Sequence, residues 1–163
     1  MTTQVTEVHA PPSRVAKELL ANSAFLLSRL GFAFKAKAID EVEQAGFSLY
    51  DYSVLALLAE ESRETQATIA DALNLDRSQL VGILDSLEDR GLIERQRDPN
   101  DRRRHIVSLT RDGRTQLNGL RSIVKRLEEE LLAPLDDDSR ATLHRLLLRL
   151  ACYHDPRCAA PEA

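Results

Sequence analysis

The residues best suited to chemistry lie in the middle of the chain, where arginines cluster around a short turn. They are Arg95, Arg97, Arg102, Arg103 and Arg104, and the turn among them reads Asp98-Pro99-Asn100-Asp101. A guanidinium group is always charged and binds phosphate oxygens through a planar fork of donors. Such a charge cluster on a hairpin tip cannot be core, so it is either a solvated surface or a set of phosphate contacts.

A second group of polar side chains precedes these arginines, at the predicted start of a helix. In the major groove of DNA, Arg77 can reach O6 and N7 of guanine, and Gln79 can reach N6 and N7 of adenine. Ser78 supplies an adaptable donor to a base or a phosphate. The alternative is a solvated first turn in which Asp76 only caps the helix. The neighbouring arginines favour DNA binding.

Local signals predict the elements that would present these side chains. Thr65 is expected to cap a first helix, and Asn74 to end it because asparagine tolerates a left-handed conformation. Asp76 is expected to cap a second helix, with Gln79 completing a capping box, and Gly91 to follow its end. The apolar stripe of the second helix comprises Leu80, Ile83, Leu84 and Leu87. A turn this short makes the helices cross steeply, which leaves the first turn of the second helix projecting outward.

Two short strands, Leu92–Arg97 and Arg104–Leu109, are predicted to follow. Helix, turn, helix and hairpin together predict a winged helix-turn-helix over residues 47–110. The expected fold class is therefore mainly α with a small β-hairpin wing, extended by a helical dimerisation region. Gln66 and Thr68, near the start of the first helix, are predicted to contact the DNA backbone.

The order of these residues resembles the MarR family of bacterial regulators. The most specific motifs are Asp101-x-Arg103, then Leu109-Thr110 and Gly113, set after Leu87-Glu88-x-x-Gly91-Leu92-Ile93. Weaker agreement extends upstream through Phe47-Ser48-Leu49-x-x-Tyr52-x-Val54-Leu55. The resemblance covers most of the chain, but neither the residues up to about Pro12 nor those after about Tyr153.

The resemblance implies roles for the wing. An aspartate at the position of Asp101 orients the arginine at the position of Arg103 for insertion into the minor groove, whose negative potential attracts arginine. Phosphate contacts are then expected from Arg97, Arg102 and Arg104. The alternative is that Asp101 and Arg103 form a surface ion pair of little energetic value.

Regulators that this chain resembles are commonly repressors, and they often respond to small phenolic or carboxylate molecules. The expected ligand-pocket residues are Phe25, Arg29, Phe32, Tyr50 and Tyr52. In that interpretation Arg29 meets an anionic group and the aromatic rings stack on the ligand. The alternative is structural, with Phe25 and Phe32 in the core and Tyr52 packing a helix junction.

The remaining sequence predicts helices for self-association. A long, doubly apolar helix is expected within residues 13–46, and residues 111–153 are expected to form two more helices. Leucine and valine form a heptad seam at Leu117, Leu120, Val124, Leu127 and Leu131. We predict a two-fold homodimer that binds a pseudo-palindromic operator, with an elaborated monomer core as the alternative. Residues 1–12 are expected to be a disordered tail and residues 154–163 a loose C-terminal tail.

Composition limits the other function classes. The 163 residues carry a formal net charge of −4, which disfavours an unspecific nucleic-acid coat protein. No apolar run is long enough to span a membrane, and the first residues do not read as a signal peptide, so we expect a cytoplasmic protein without a membrane partner. The sequence has no phosphate-binding glycine loop, nucleophile elbow or zinc-protease motif, which predicts no enzymatic activity. No cofactor and no metal site are expected.

Two alternatives to a ligand-responsive repressor stay open from the sequence. One is a winged-helix module that binds protein, which the arginine-rich wing disfavours. The other is a redox- or metal-responsive regulator that uses Cys152 and Cys158, with His154 between them. Such a loose grouping near the C-terminus is more often incidental.

Overall fold

The computed structural model describes residues 14–60, 64–99, 101 and 104–159. The helices are α1 (Lys17–Leu20), α2 (Ser23–Gln44), α3 (Leu49–Glu60), α4 (Gln66–Leu73), α5 (Arg77–Asp89), α6 (Arg111–Leu131) and α7 (Asp137–His154). The strands are β1 (Glu64–Thr65), β2 (Ile93–Arg97) and β3 (His105–Leu109). The chain divides into two units between Lys35 and Ala36. The predicted tail of residues 1–12 lies outside the described residues.

The N-terminal helical region differs from the single long helix that we predicted. The short helix α1 ends at Leu20, and α2 begins at Ser23. The side-chain oxygen Oδ1 of Asn22 accepts a hydrogen bond from the backbone amide of Phe25 at 3.0 Å. Because an asparagine in this position caps a new helix, the prediction of one continuous helix is wrong at Ala21–Asn22.

Side-chain caps bound the following helices, and those at Thr65 and Asn74 agree with the local prediction. Ser48 and Asp51 form a reciprocal capping box at α3, with amide-to-side-chain distances of 2.7 and 3.0 Å. Thr65 caps α4 by accepting from the amide of Thr68 at 3.2 Å. Asn74 ends α4 in the left-handed conformation at φ 50°. Side chains that bond to a backbone group three residues away therefore set these boundaries.

The wing contains three strands rather than the predicted two. The sheet is antiparallel in the order β1-β3-β2, and β2 pairs with β3 from Ile93↔Leu109 to Arg97↔His105. The additional strand β1 precedes α4 and pairs Glu64 with Val107. It ties the start of the helix-turn-helix to the wing.

One apolar core holds these elements together within the second unit. It is formed by the end of α2, by α3, α4 and α5, by the wing and by the first half of α6, through Val42, Phe47, Val54, Leu55, Leu58, Ile69, Leu80, Leu84, Leu87, Leu92, Ile93, Val107, Leu117 and Leu120. Burial of such side chains is the main stabilising term in folding. We call this core and its elements, residues 47–120, the winged lobe.

The motif around Thr110 joins the wing to α6. Thr110 accepts a hydrogen bond from the amide of Gly113 at 3.0 Å and donates to the carbonyl of Gly91 at 2.8 Å. A Cβ atom at position 113 would overlap the carbonyl oxygen of Leu92. Residue 113 is therefore glycine because the chain passes too close for any side chain.

The predicted heptad seam of α6 is used largely within the chain. Leu117, Leu120 and Leu127 are buried, Val124 is half-buried, and only Leu131 is exposed. The seam thus supplies less free apolar surface for a partner than we predicted. The C-terminal half of α2 contacts α6 through a hydrogen bond of 2.6 Å from Nη2 of Arg126 to Oε2 of Glu41.

Residues 154–159, which belong to the predicted loose tail, form the end of α7 and a turn of helix. Helix α7 includes His154, and Pro156–Cys158 form one turn of 3-10 helix. Nη1 of Arg157 donates to the carbonyl oxygen of Asp71 on α4 at 3.2 Å. The last four residues lie outside the described part of the chain.

No helix within the described ranges is both long enough and apolar enough to cross a membrane.

Candidate nucleic-acid interface

The first turn of α5 is held by its cap and points away from the core. Oδ1 of Asp76 accepts from the amide of Gln79 at 2.8 Å and from the hydroxyl of Ser78 at 2.6 Å. The hydroxyl of Ser78 and then the amide of Gln79 hold the pKa of the Asp76 carboxyl below its usual value. Asp76 is therefore ionised at neutral pH, where its charge also favours the helix N-terminus.

The side chains of this turn are exposed. Arg77, Ser78 and Gln79 all lie at the surface, while Leu80 is buried directly behind them. Gln79 does not complete the predicted capping box with its side chain, which makes no hydrogen bond to any other described residue. The amide group of Gln79 is thus available to an external partner.

The outward face of α5 extends further than the predicted first turn. Arg77, Val81 and Asp85 follow one another at intervals of four residues and are all exposed, as is Gly82. Val81, whose side chain is 37% exposed, was not among the residues predicted to contact DNA. An exposed apolar group on this face can contact a thymine methyl group. Helical periodicity relative to the buried Leu80, Leu84 and Leu87 is the signal that would have identified it.

The predicted backbone contacts on α4 have different surroundings. The hydroxyl of Thr68 accepts from the amide of Thr65 at 3.0 Å and donates to a carboxylate oxygen of Glu64. Gln66 is half-buried at the first position of α4. The hydroxyl of Thr68 therefore belongs to the capping box of α4. A phosphate that bound this hydroxyl would compete with its hydrogen bonds to Thr65 and Glu64.

The wing places two of the predicted phosphate-binding arginines at the surface. Arg97 at the end of β2 and Arg104 before β3 are exposed. Nε of Arg104 lies 3.4 Å from Oδ2 of Asp101, and the amide of Arg104 donates to the carbonyl of Asp101 at 2.9 Å. Arg102 and Arg103 lie outside the described residues, so the expected orientation of Arg103 by Asp101 stays a prediction.

Arg95 of the cluster and Arg90, which precedes it in sequence, are both engaged within the chain. The guanidinium carbon of Arg90 lies 3.9 Å from the centre of the Phe47 ring, which is a cation–π contact. Nε of Arg95 donates to Oε2 of Glu88 at 2.8 Å, and Nη2 of Arg95 donates to Oδ1 of Asp85 at 2.6 Å. The sequence offered two alternatives for the arginine cluster, a solvated surface or a set of phosphate contacts. Arg95 fits neither, because its guanidinium group binds two carboxylates of the same chain.

The expected ligand-pocket residues divide between two helices. On α2, Phe25, Arg29 and Phe32 share a face by their spacing; Phe25 is half-buried, whereas Arg29 and Phe32 are exposed. Phe32 is 79% exposed, so the alternative placement of this ring in the core is wrong.

On α3, Tyr52 packs against the core of the winged lobe, as the structural alternative expected. Tyr50 is exposed and lines a cavity of about 360 Å³ with Asp51, Leu75, Gln79, Gly82, Ile83 and Ser86. This cavity adjoins the outward face of α5.

The cysteines do not form a metal site in the structure. Within the described ranges no group of three or more histidine, cysteine, aspartate or glutamate residues is arranged to hold a metal ion. Cys152 and Cys158 are both free thiols, and Sγ of Cys152 lies 3.1 Å from the carbonyl oxygen of Cys158. The metal-responsive alternative therefore gains no support.

Comparison with known proteins agrees with this geometry. A family model described as the MarR family matches residues 47–105, which span the winged lobe from Phe47 into the wing. A regulatory protein assigned to the hcr operon of Thauera aromatica is 36% identical over 99 residues, which cover 61% of this chain. The match spans 60% of the length of that relative.

Solved structures match over a larger part of the chain. The transcriptional repressor CouR bound to a 23-mer DNA duplex is 33% identical with a TM-score of 0.75, covering 85% of this chain and 99% of that one. CouR from Rhodococcus jostii RHA1 bound to p-coumaroyl-CoA is 27% identical with a TM-score of 0.69, covering 83% and 96%. PcaV from Streptomyces coelicolor with its natural ligand is 30% identical with a TM-score of 0.68, covering 85% and 97%.

These proteins are described as regulators, in agreement with the prediction from the sequence that the chain is not an enzyme. The winged helix-turn-helix, the motif residues from Phe47 to Gly113 and the likeness to solved regulators lead to one conclusion. This chain belongs to the MarR family of transcriptional regulators.

Proposed function

We propose that this protein is a homodimeric, sequence-specific DNA-binding repressor that a small aromatic or anionic ligand releases from its operator. The observation that carries the proposal is the exposed polar first turn of α5 beside a wing whose outer arginines, Arg97 and Arg104, are also exposed. In a winged helix-turn-helix such a turn enters the major groove while the wing reaches the flanking backbone or minor groove. The proposed location is the cytoplasm.

Each exposed side chain at the start of α5 is assigned a different contact with the bases. Arg77 binds O6 and N7 of guanine, and the free amide of Gln79 binds N6 and N7 of adenine. Ser78 already donates to Asp76, so its oxygen is left to accept from a base amino group. Val81 adds an apolar contact to a thymine methyl group.

The wing and the start of α4 provide affinity rather than sequence preference. Arg97, Arg102 and Arg104 contact phosphates, Asp101 orients Arg103 into the minor groove, and Gln66 and Thr68 contact the backbone. The structure of CouR bound to a 23-mer duplex supports DNA binding, since it is a relative of this chain. A duplex of that length accommodates two half-sites separated by about one turn, roughly 10 base pairs.

Self-association is supported by apolar side chains that the chain does not cover. On α7, Leu146, Leu147, Leu148, Leu150 and Tyr153 are exposed, and on α1 and α2 so are Leu19, Leu20, Leu26, Leu27 and Leu30. Monomeric proteins rarely expose so many neighbouring apolar groups on one helix. A two-fold dimer would bury them and present two copies of α5 to one operator.

A small-molecule effector is supported by two relatives, since CouR is solved with p-coumaroyl-CoA and PcaV with its natural ligand. The coumaroyl group of the CouR ligand is aromatic and its CoA group is anionic, which favours an effector of that class. In this chain, Arg29 and Phe32 are exposed on the same face of α2 as Phe25, and Tyr50 and Tyr52 lie on α3. We propose that Arg29 binds the anionic group and Phe32 stacks on the ring.

The DNA-binding proposal is tested by measuring the affinity of purified protein for its own upstream DNA at several salt concentrations. Arg103→Ala should weaken binding to all sequences and reduce the salt slope by about 1, because one phosphate-region contact is lost. Arg77→Ala should cost about 1–3 kcal/mol and relax the preference at one base pair. If the parent protein ignores duplex DNA even at low salt, the proposal is wrong and a protein-binding winged helix becomes the better explanation.

The ligand proposal is tested by titrating aromatic carboxylates and aromatic acyl-CoA thioesters into the protein–operator complex. Release should require a higher concentration for Arg29→Ala or Phe32→Ala than for the parent, and Gln44→Ala, an exposed position at the end of the same helix, is the control. A panel that releases no DNA from the parent protein would remove support for an effector of this class.

A further inference from the structure

One guanidinium group connects the wing to the recognition helix α5. Nε of Arg95 on β2 donates to Oε2 of Glu88 at 2.8 Å, and Nη2 donates to Oδ1 of Asp85 at 2.6 Å and also contacts Glu88. The backbone amide of Arg95 donates to Oε1 of Glu88 at 3.2 Å. The backbone and the side chain of Arg95 thus both bind carboxylates of α5, and these carboxylates lie on successive turns of the helix.

This arrangement sets Arg95 apart from the other described arginines of the wing. Its side chain is 20% exposed, whereas that of Arg104 is 67% exposed. Hydrogen bonding from Arg95 lowers the pKa of the Glu88 carboxyl, and the same bond raises the pKa of Arg95. Arg95 and Glu88 are therefore both charged under ordinary conditions, and the guanidinium group of Arg95 is already bound to carboxylates before any DNA arrives.

The position of the two carboxylates gives the bridge a functional meaning. Asp85 stands on the outward face of α5, two turns after Arg77, and Glu88 is the second-last residue of the helix. The strand β2 leads from Arg95 directly to Arg97 and the wing tip. Fixing β2 against α5 therefore fixes the distance between the residues that face the bases and those that face the phosphates.

We propose that Arg95 is a positioning residue for DNA binding: it contacts no phosphate, but it sets the angle between the wing and the recognition helix by bridging Glu88 and Asp85. The inference rests on the proposed DNA-binding function. It assigns one member of the arginine cluster to geometry and leaves charge neutralisation to the others.

The first test compares Arg95→Gln with Arg97→Gln in operator binding at several salt concentrations. Arg97→Gln should reduce the salt slope by about 0.9, the value for one phosphate contact. Arg95→Gln should weaken binding by roughly tenfold or more, and the double variant should bind no more weakly than Arg95→Gln alone. Additive losses, with a slope reduction of about 0.9 for each variant, would mean that Arg95 contacts phosphate directly and would overturn the proposal.

Two further variants distinguish geometry from charge. Arg95→Lys keeps the charge but cannot reach both carboxylates with a planar fork, so it should be as defective as Arg95→Gln. The exchange Arg95→Glu with Glu88→Arg should recover at least half of the affinity that Arg95→Glu loses on a logarithmic scale. Full activity of the lysine variant, or no recovery by the exchange, would overturn the positioning role.

The free protein provides a readout that does not depend on DNA. In hydrogen exchange, amides of β2 and of the last two turns of α5 should exchange faster in Arg95→Gln than in the parent, while those of α3 stay unchanged. Unchanged exchange in β2 would contradict the bridge. A parent protein that fails to bind DNA refutes the proposed function, whereas tight binding by both parent and Arg95→Gln refutes only the role of Arg95.

Discussion

Helices α5 and α7 are both rich in leucine, but the leucines of α5 are mostly buried and those of α7 are mostly exposed. Leu84 and Leu87 of α5 are 0% exposed in the core of the winged lobe. Leu146 and Leu150 of α7 are 51% and 52% exposed. The comparison separates a helix whose stripe is satisfied within one chain from a helix whose stripe requires additional protein surface.

The difference follows from what surrounds each helix. Helix α5 is enclosed by α3, α4 and the wing, so its leucines share one core with neighbours from several elements. The cavity beside Leu146 and Leu150 has a volume of about 720 Å³, and all of its lining residues belong to α7 itself. A cavity lined by one helix is an uncovered surface, which agrees with the proposed role of α7 in self-association.

The largest effect should come from breaking the proposed partner surface of α7. Leu146→Glu combined with Leu150→Glu should convert the protein from dimer to monomer in analytical ultracentrifugation, because buried charges oppose association. Operator affinity should fall about 10²–10⁴-fold, since two linked contacts become one. Arg145→Glu, at an exposed position of α7 that lies outside this set of apolar side chains, is the control. Retention of a dimer by the double variant would show that α7 is not its interface.

The core of the winged lobe should respond differently. Leu84→Ala should lower the free energy of unfolding by about 2–5 kcal/mol, because it leaves a cavity among α4, α5 and the wing. The measurement is urea unfolding followed by circular dichroism. Leu146→Ala is the matched control and should change stability mainly at protein concentrations where dimers form. Equal losses for the two variants at every concentration would remove the distinction between the helices.

The smallest effect concerns the aspartates that cap the two helices. Asp76 caps α5 and Asp136 caps α7, and hydrogen bonds from Ser78 and Ser139, respectively, lower the pKa of each carboxyl in the folded state. A carboxyl group whose pKa is lower in the folded state than in the unfolded state stabilises the fold at pH values above its unfolded-state pKa of about 4. This stabilisation is lost as the pH falls through the folded-state pKa. Asn at either position keeps an oxygen acceptor but does not titrate.

Asp76→Asn should therefore slightly reduce stability at pH 7, and the difference from the parent should shrink as the pH falls below about 4. The effect of Asp136→Asn should additionally depend on protein concentration if α7 is stabilised by dimerisation. Thermal unfolding at several pH values and two protein concentrations measures both. A difference between Asp76→Asn and the parent that grows below pH 4 contradicts the role of the charged cap.

The candidate site shows which kinds of contact could be predicted from the sequence. The caps at Thr65, Asp76 and Thr110 were predictable because each joins a side chain to an amide only three residues away. The partners of Arg90 and Arg95 were not predictable. Phe47 is far from Arg90 along the chain. Asp85 is one of several carboxylates on α5, and the sequence does not show which of them Arg95 contacts. Counting arginines therefore overstated the charge available at the wing tip.

By itself, the sequence determined the order of helices and strands in the winged lobe, the residues that cap them and the polar character of the first turn of α5. These follow from side-chain chemistry and from a periodicity that acts over a few residues. Only the tertiary structure decided that β1 joins the wing, that the seam of α6 is buried mostly within the chain while α7 is not, and that Arg95 binds Glu88 and Asp85. The physical reason is that strand pairing, burial and ion pairing depend on distances between segments far apart in sequence, which no local pattern specifies.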